Sequence, residues 1–232
     1  MEYLELIITI ELKKDIDFDE AGFVIGKNIN KSMLFDEELK ELHPKNQYKN
    51  YVFDTFYPFE RDKKYKSGKL YIFKIRSIDV EMMKKMRKCL RVLRSFDFKI
   101  LAIDAKLVKQ RKIKTLHTLS PVILTIDDQP WLQNQDIKIF NERMIANLEK
   151  KYKSYFNEDL KAEVNLVKSI EFKNRKPVGL KYKNIKLLGN KVSIEVKEDE
   201  ISQKLAFIAL ATGIGEKNSA LGAGFCKAEF IK

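Results

Sequence analysis

The sequence has few of the residues that build disulfide-linked or metal-binding proteins. It contains two cysteines and two histidines in 232 residues, and Cys89 and Cys226 match no metal-ligand spacing and form no evident disulfide framework. No apolar run approaches the roughly 20 residues that a membrane span needs. No basic segment followed by an apolar one opens the chain, so no secretory signal is visible. We therefore expect a protein without a membrane segment, located in the cytoplasm.

Charge is unbalanced. The 45 lysines and arginines exceed the 33 aspartates and glutamates by 12, and such an excess favours a polyanionic partner, above all nucleic acid. Lysine enrichment for solubility is the alternative. Charge alone therefore does not identify a function.

The first half alternates between strand and helix patterns. An alternating apolar run predicts a strand near the beginning of the chain, and a capping-box pattern at Asp17 and Glu20 predicts a helix to about Leu42. Asp79 caps a second helix. The predicted order is β-α-β-β-α-β, with the later elements placed over residues 51–56, 69–76, the helix after Asp79, and 98–107.

The second half repeats this order less clearly. Strands are predicted for 120–126, within 160–167, 179–188 and 191–196, and over 224–231, with helices over 137–153 and 199–211. Two split β-α-β units account for this sequence of elements. We predict an α+β protein with two tandem ferredoxin-like (RRM-like) domains, residues 1–110 and 111–232.

A glycine-rich segment lies between the last predicted helix and the last strand. A dinucleotide-binding loop or a P-loop would instead follow a strand and open a helix. Glycines permit positive φ and close approach to a ligand, and successive amides can bind an anion such as an RNA phosphate. The predicted RNA-binding residues of this segment are Gly213, Gly215, Lys217, Asn218, Ser219, Gly222 and Gly224.

This segment, followed by Phe225, resembles the C-terminal signature of the CRISPR-associated repeat-RNA processing endoribonucleases of the RAMP superfamily. The residues 119–122 (Leu-Ser-Pro-Val) are similar to a short stretch that opens the second half in that family. Gly215 and Gly222 enclose six residues, where the family pattern usually has five. The resemblance implies tandem ferredoxin-like domains, with catalytic residues in the first and an RNA-binding glycine loop in the second.

The resemblance also implies a function. Family members cut precursor CRISPR RNA within each repeat, without a metal ion or cofactor, by attack of a 2′-hydroxyl on the adjacent phosphate. The expected partner is CRISPR repeat RNA, and further subunits of a CRISPR interference complex and a second copy of the chain are open alternatives. A catalytically weak repeat-RNA-binding or scaffold subunit is the alternative function.

Catalytic candidates follow the first predicted helix. From the residues alone, His43 is better explained as a surface histidine at a helix C-terminus than as a proton-transfer group. The resemblance implies the second role, with Lys49 stabilising the phosphate charge. The first helix lacks the tyrosine that some family members carry. Lys27 and Lys31, one turn apart on this helix, are candidates to supply charge, and solvated lysines are an equal interpretation.

The second predicted helix carries a basic stripe of Lys84, Arg87, Arg91 and Arg94. RNA contact and a solvated helix face explain this stripe about equally well. His117 has no catalytic set near it and is interpreted as structural. Asp127 and Asp128 diverge on a turn, so no metal site is assigned.

Overall fold

Two four-stranded antiparallel sheets, each packed against helices, form the protein. The computed structural model describes residues 1–42, 44–45, 48–133, 135–160 and 164–231. Within these ranges no helix is both long enough and apolar enough to cross a membrane.

The first half builds a sheet in the order β3-β5-β1-β6, with α1 and α3 as its main helices. Every strand pairing in this sheet is antiparallel. Two very short strands, β2 and β4, form a separate pair. The elements are β1 Glu2–Leu12, β2 Ile16–Asp17, α1 Phe18–Met33, α2 Glu37–Leu42, β3 Tyr51–Phe53, β4 Lys64–Tyr65, β5 Leu70–Ser77, α3 Val80–Val92 and β6 Phe98–Lys109.

The second half builds a sheet in the order β10-β13-β7-β14, with α4 and α5 as its main helices. A separate hairpin, β11–β12, contacts α1 of the first half. The elements are β7 Ile113–Thr118, β8 Thr125–Ile126, β9 Gln129–Pro130, α4 Ile137–Phe156, β10 Val167–Phe172, β11 Val178–Tyr182, β12 Ile185–Gly189, β13 Val192–Val196, α5 Glu200–Thr212, α6 Asn218–Leu221 and β14 Cys226–Phe230.

The two sheets have the same strand order. If only the four strands of each sheet are counted, in chain order, the first lies between the third and the fourth, and the second is at the edge. This is the arrangement of a split β-α-β unit. The predicted α+β class with tandem ferredoxin-like halves is therefore confirmed.

The core follows the sequence pattern. In β1 one face is buried because apolar residues recur every second position, and in α3 a stripe at 3,4,3 spacing packs against the same sheet. Asp79 begins α3 as predicted, since its Oδ1 accepts a hydrogen bond from the amide of Met82 at 2.9 Å. The buried residues of these two patterns are Leu4, Leu6, Ile8, Ile10 and Leu12 of β1 and Met83, Met86, Leu90 and Leu93 of the helix stripe.

The first helix and the first strand of the second half were placed wrongly. The first helix ends at Met33, because Asp36 begins a new helix by accepting a hydrogen bond from the amide of Leu39 at 3.1 Å. The first strand of the second half is β7, at Ile113–Thr118, and not 120–126. The proline at 121 has no amide hydrogen to donate to a neighbouring strand, which disfavours a strand at 120–126. The polar residues of β7 interrupt its apolar pattern, so the strand was not recognised.

The strand predicted within 160–167 also differs. The corresponding strand, β10, begins only at Val167, and residues 161–163 lie outside the described part of the chain. The segment 179–188 contains two strands rather than one, joined at Lys183, which has a positive φ of 54°.

Arg76 joins the two halves. Its Nε donates to Glu5 at 2.6 Å within the first sheet, and its Nη1 donates to the carbonyl of Cys226 on β14 at 2.7 Å. The guanidinium also lies 4.2 Å from the ring centroid of Phe225. A buried cation between two sheets needs a charge partner and a hydrogen-bond acceptor, and Arg76 has both in Glu5 and the Cys226 carbonyl, so the contact fixes β5 against β14.

Candidate active site

The glycine-rich segment is a buried structural element. It leaves α5 at Gly213, forms the one-turn helix α6 and enters β14. The four glycines at 213, 215, 222 and 224 are all buried and have positive φ. At Gly224 an added Cβ would lie 1.8 Å from the carbonyl oxygen of Ile214, which leaves no space for any other residue. Lys217 is the exposed residue of the segment.

Two buried polar side chains hold this segment in shape. Lys151 of α4 donates through Nζ to the carbonyls of Gly213 and Gly215 and to Oδ1 of Asn218, at 2.7, 3.1 and 2.7 Å. Asn218 in turn donates to the carbonyls of Ile214 and Ala223. The segment is therefore folded around its own inward-facing carbonyl groups.

Two glycines of α1 allow the segment to pack closely on that helix. An added Cβ at Gly22 or at Gly26 would lie 2.3 Å from the carbonyl oxygen of Leu221 or of Ala220, respectively. These glycines are four residues apart and lie on one helix face. The backbone of α6 therefore rests directly on the first half of the protein.

The Gly26→Ala variant tests this contact. Alanine favours a helix interior by about 1 kcal/mol over glycine, but the clash with Ala220 is a case of overpacking that typically costs 1–3 kcal/mol or more. We expect a lower free energy of unfolding in urea and weaker RNA binding. Asn30→Ala, on the same helix, is the matched control because it adds no atoms. Unchanged stability in Gly26→Ala would refute the close packing.

The two stretches on which the family resemblance depends lie in contact. The Ser120 hydroxyl donates to the carbonyl of Gly222 and accepts from the amide of Phe225 at 2.8 Å. The amide of Gly224 donates to the carbonyl of Pro121 at 2.9 Å. The short segment at 119–122 therefore supports the C-terminal end of the glycine-rich segment.

A cavity of about 450 Å³ opens between the halves next to this segment. We call it the loop pocket. It is bordered by the chain before β3, by α4, by the end of α5, by residues 216–220 and by the β11–β12 hairpin. Its lining residues are Tyr48, Lys49, Asn50, Tyr51, Asn147, Lys151, Tyr182, Thr212, Glu216, Lys217, Asn218, Ser219 and Ala220.

The loop pocket is electropositive. Three lysines and one glutamate line it, and the glutamate, Glu216, accepts hydrogen bonds from Thr125. Burial lowers the pKa of Lys49 and lowers the pKa of Lys151 to about 7. Burial, with Glu216 adding to it, raises the pKa of Tyr48. The pocket therefore combines lysines with three tyrosine rings, a suitable set for a nucleotide.

The structure brings part of the predicted site together. Lys49 from the first half and Lys217 and Ser219 from the second half line the same pocket. Asn218 also reaches it, but its amide is bonded within the segment. His43 lies outside the described residues, one position beyond the end of α2 at Leu42 and six before Lys49.

The glycine amides have a different role from the predicted anion site. The amides of Gly213, Gly222 and Gly224 donate to the carbonyls of Ala209, Asn218 and Pro121. These three groups are thus used inside the protein. Contact between the segment and RNA stays a prediction. Within the segment, the exposed Lys217 and the half-buried Ser219 are the residues best placed to make it.

Lys27 and Lys31 do not line the loop pocket. Lys27 forms a 2.8 Å ion pair with Asp97, and Lys31 donates to the carbonyl of Arg94 at 2.9 Å. Both therefore interact with the loop between α3 and β6.

The basic stripe of α3 lies on a helix that contributes no residue to the loop pocket. Lys84 pairs with Glu81, Arg87 donates to the carbonyl of Ile103 at 3.2 Å, and Arg91 is exposed. RNA contact by this stripe stays a prediction.

The remaining candidates have ordinary surroundings. His117 lies in the central strand β7, with Nδ1 2.7 Å from Ser193 Oγ and Nε2 3.3 Å from Glu229. Cys89 and Cys226 are buried, free thiols.

Sequence reasoning missed the residues that shape the segment, although signals existed. Gly22 and Gly26 form a small-x-x-x-small pair within a predicted helix. Lys151 follows Met144 and Leu148 at helical spacing, so it occupies a position of the core stripe of α4. A lysine in a core register indicates a buried cation with specific partners.

The fold and the segment define a class of protein: two tandem ferredoxin-like halves that enclose a glycine-rich segment near the C-terminus. The family described as CRISPR associated protein Cas6, C-terminal, matches residues 104–228, which is more than half of the chain. The chain therefore belongs to the Cas6 family. No curated protein sequence matches it.

Solved structures agree over nearly the whole chain. A CRISPR associated protein Cas6 matches with a TM-score of 0.74 at 20% identity, over 98% of this chain and 99% of that one. A RAMP protein described as binding different RNA substrates matches with 0.74 at 16% identity, over 97% and 99%. The product of a Cas6-related gene from Pyrococcus furiosus matches with 0.71 at 18% identity, over 98% of each chain. At these identities the likeness establishes the fold.

Proposed function

We propose that this protein is a metal-independent endoribonuclease that binds CRISPR repeat RNA and cuts precursor CRISPR RNA within each repeat. The observation that carries the proposal is the loop pocket, where Lys49 of the first half and Lys217 of the second half border one electropositive cavity. His43 belongs to the segment that leads into Lys49. Membership of the Cas6 family supports the same function.

The proposed reaction needs three contributions. A base takes the proton of the 2′-hydroxyl of one nucleotide as its oxygen attacks the adjacent phosphorus, the bond to the 5′-oxygen breaks, an acid gives that oxygen a proton, and positive charge stabilises the phosphate. His43 moves a proton, as base or as acid, and Lys49 stabilises the charge on the phosphate. The products are a 2′,3′-cyclic phosphate upstream and a 5′-hydroxyl downstream.

One observation favours a second candidate, a catalytically weak repeat-RNA-binding or scaffold subunit. The first helix carries no tyrosine, and Lys27 and Lys31, which could have supplied charge instead, interact with Asp97 and Arg94 outside the loop pocket. Such a protein would hold repeat RNA in a stable complex and leave it uncut.

Cleavage of end-labelled repeat RNA from the genome that encodes this chain distinguishes the two candidates. The reaction is run in EDTA, and the matched substrate carries a single 2′-deoxynucleotide at the mapped cut. We expect one cut with a 5′-hydroxyl product, blocked by the 2′-deoxy substitution. Tight binding without a cut would establish the scaffold alternative, and the absence of both would overturn the proposal.

Lys217→Ala should weaken RNA binding more than it slows the chemical step. Lys217 is exposed at the border of the pocket, so we expect a roughly three- to fivefold higher Kd, the size of an exposed ion pair worth at most about 1 kcal/mol. The slope of log Kd against log salt should fall by about 0.7, the value for one phosphate of a single strand.

Fluorescence anisotropy at several salt concentrations measures both quantities. Lys217→Arg, which keeps the charge, is the control and should retain the wild-type slope. An equal salt dependence in Lys217→Ala would remove Lys217 from the RNA interface.

A further inference from the structure

Phe96 is 90% exposed, in the short loop between α3 and β6. Single exposed apolar residues are common and need no explanation by themselves. The surroundings of Phe96 are what distinguish it. The residues before and after it are buried. Lysine side chains from α1 and from the chain after β1 donate hydrogen bonds to the backbone of the loop.

The backbone of the loop is fixed by two lysines. Lys31 of α1 donates through Nζ to the carbonyl of Arg94 at 2.9 Å. Lys13 donates through Nζ to the carbonyl of Ser95 at 2.7 Å and through its amide to the carbonyl of Asp97 at 2.9 Å. Phe96 is therefore presented by a loop whose conformation is already set.

The carboxylate of Asp97 is in contact with two further lysines and an asparagine. Lys14 and Lys27 pair with it at 2.7 and 2.8 Å, and Asn28 donates to it at 2.7 Å. Burial raises the pKa of Asp97, but these partners outweigh it and lower the pKa to about 2. The carboxylate is thus ionised and buried beneath the loop, whereas Lys14 and Lys27 remain half-exposed.

The side chains that hold this loop are lysines, and the loop itself carries Arg94 and an exposed aromatic ring. We call this surface the Phe96 platform. The Lys31 ammonium lies 5.7 Å from the ring centroid. Five basic residues belong to this loop or contact it, and the carboxylate that Lys14 and Lys27 share, that of Asp97, is buried. The members are Lys13, Lys14, Lys27, Lys31, Arg94 and Phe96.

Such a surface matches a single-stranded nucleic acid. Every base has a face that stacks on an aromatic ring, and lysines beside the ring follow the phosphates. Because the backbone of the loop is already fixed, little backbone freedom is lost when a base stacks on the ring. The bases inside a double-stranded stem could not stack on Phe96, because they are paired and stacked on each other already.

The platform is connected to the loop pocket along α1. Phe23 lies on one face of that helix with Lys27 and Lys31, at spacings of four residues. Phe23 makes an edge contact with Tyr182 of the loop pocket, with ring centroids 6.1 Å apart. Eight helical residues span ~12 Å, so one face of α1 leads from the pocket wall to the platform.

We propose that the Phe96 platform binds a single-stranded segment of the same RNA, with one unpaired base stacked on Phe96 and neighbouring phosphates on Lys31 and Arg94. The inference rests on the proposed function, because it assigns a second contact to the RNA of the loop pocket. It adds a site remote from the cut that recognises unpaired RNA.

An abasic scan tests the stack. Repeat RNA with a 2′-deoxynucleotide at the mapped cut is prepared with one abasic nucleotide at each successive position, and Kd is measured for wild type and for Phe96→Ala. We expect a roughly tenfold weaker Kd for Phe96→Ala with intact RNA, the effect of losing one base–aromatic stack. One abasic position should weaken wild type equally and leave Phe96→Ala unaffected.

Two variants complete the experiment. Phe96→Trp keeps an aromatic face and should restore the affinity. Phe59→Ala removes an equally aromatic, 57% exposed side chain that packs beside Phe18 and Tyr57, and it should bind as wild type does.

The outcomes separate the two proposals. Wild-type affinity in Phe96→Ala, with cleavage intact in the wild-type protein, would overturn the platform alone and leave its surface to a protein partner. An equal loss at all abasic positions in both proteins would also overturn it. If wild-type protein binds no repeat RNA, the proposed function fails and this inference fails with it.

Discussion

Replacement of His43 by alanine is expected to lower the single-turnover rate of RNA cleavage by on the order of 10²-fold or more, the usual contribution of a proton-transfer group. RNA affinity should stay nearly unchanged, because one imidazole contributes little to binding a polyanion. The measurement is the cleavage rate at saturating protein in EDTA, with Kd determined separately on RNA that cannot be cut.

The chain offers a matched control for this experiment. His117 is the second of the two histidines and lies in β7 against Ser193 and Glu229. His117→Asn should cut at close to the wild-type rate. Added imidazole should partly restore cleavage in His43→Ala by replacing the missing base or acid. Wild-type cleavage by His43→Ala would exclude His43 from the chemistry.

Replacement of Lys151 by methionine is expected to destabilise the protein by about 2–4 kcal/mol, because it leaves two carbonyls and the Asn218 amide oxygen buried without a donor. Methionine is similar in length and apolar, so the loss of packing is small. Relief from burying the Lys151 amino group, whose charged form burial disfavours, offsets part of the cost. RNA binding should weaken too, because the groups that lose their donor, Gly213, Gly215 and Asn218, shape the border of the loop pocket.

The pH dependence of the free energy of unfolding tests whether the buried amino group of Lys151 causes the loss of stability. Burial lowers the pKa of Lys151 to about 7 from 10.5, so between these values the unfolded chain binds a proton that the folded protein does not. Stability that depends on Lys151 therefore rises with pH through this window. Urea unfolding of wild type and Lys151→Met should differ more at pH 9 than at pH 6.

Lys150→Met provides the comparison for Lys151. Lys150 is the preceding residue of α4 and is exposed, so its replacement should change stability by less than about 0.5 kcal/mol. Equal stability of Lys151→Met and Lys150→Met would show that the three hydrogen bonds contribute nothing net.

The fold was predictable because periodicity reports which residues are buried. The alternation in β1 and the 3,4,3 stripe of α3 gave the correct elements, and their order gave the correct pair of split β-α-β units. Where polar side chains interrupt the pattern, the prediction failed: β7, with Lys114 and His117 on one side, was placed at 120–126 instead. Likewise, the apolar spacing alone predicted one continuous helix, but capping by Asp36 begins a second helix there.

The site was predictable only in part, because its parts are brought together by contacts between residues distant in sequence. Lys49 was singled out through the family resemblance and Lys217 from the local glycine-rich segment, and the fold places both at one cavity. The partners of Lys27, Lys31 and Lys151 depend on tertiary packing, which no local pattern contains. A lysine that pairs with Asp97 and a lysine that faces RNA have the same sequence signature.

The contact between α6 and the glycine face of α1 has a consequence for how this sequence can change. Gly22 and Gly26 belong to one half of the fold, and the segment they touch belongs to the other. Arg76 and Cys226 tie the same two halves at a second point. A substitution that adds side-chain volume to one of these surfaces must be compensated by one that removes volume from the surface packed against it. The two halves are therefore expected to covary rather than to drift separately, and a half exchanged between relatives would need its own partner half to form a working cavity.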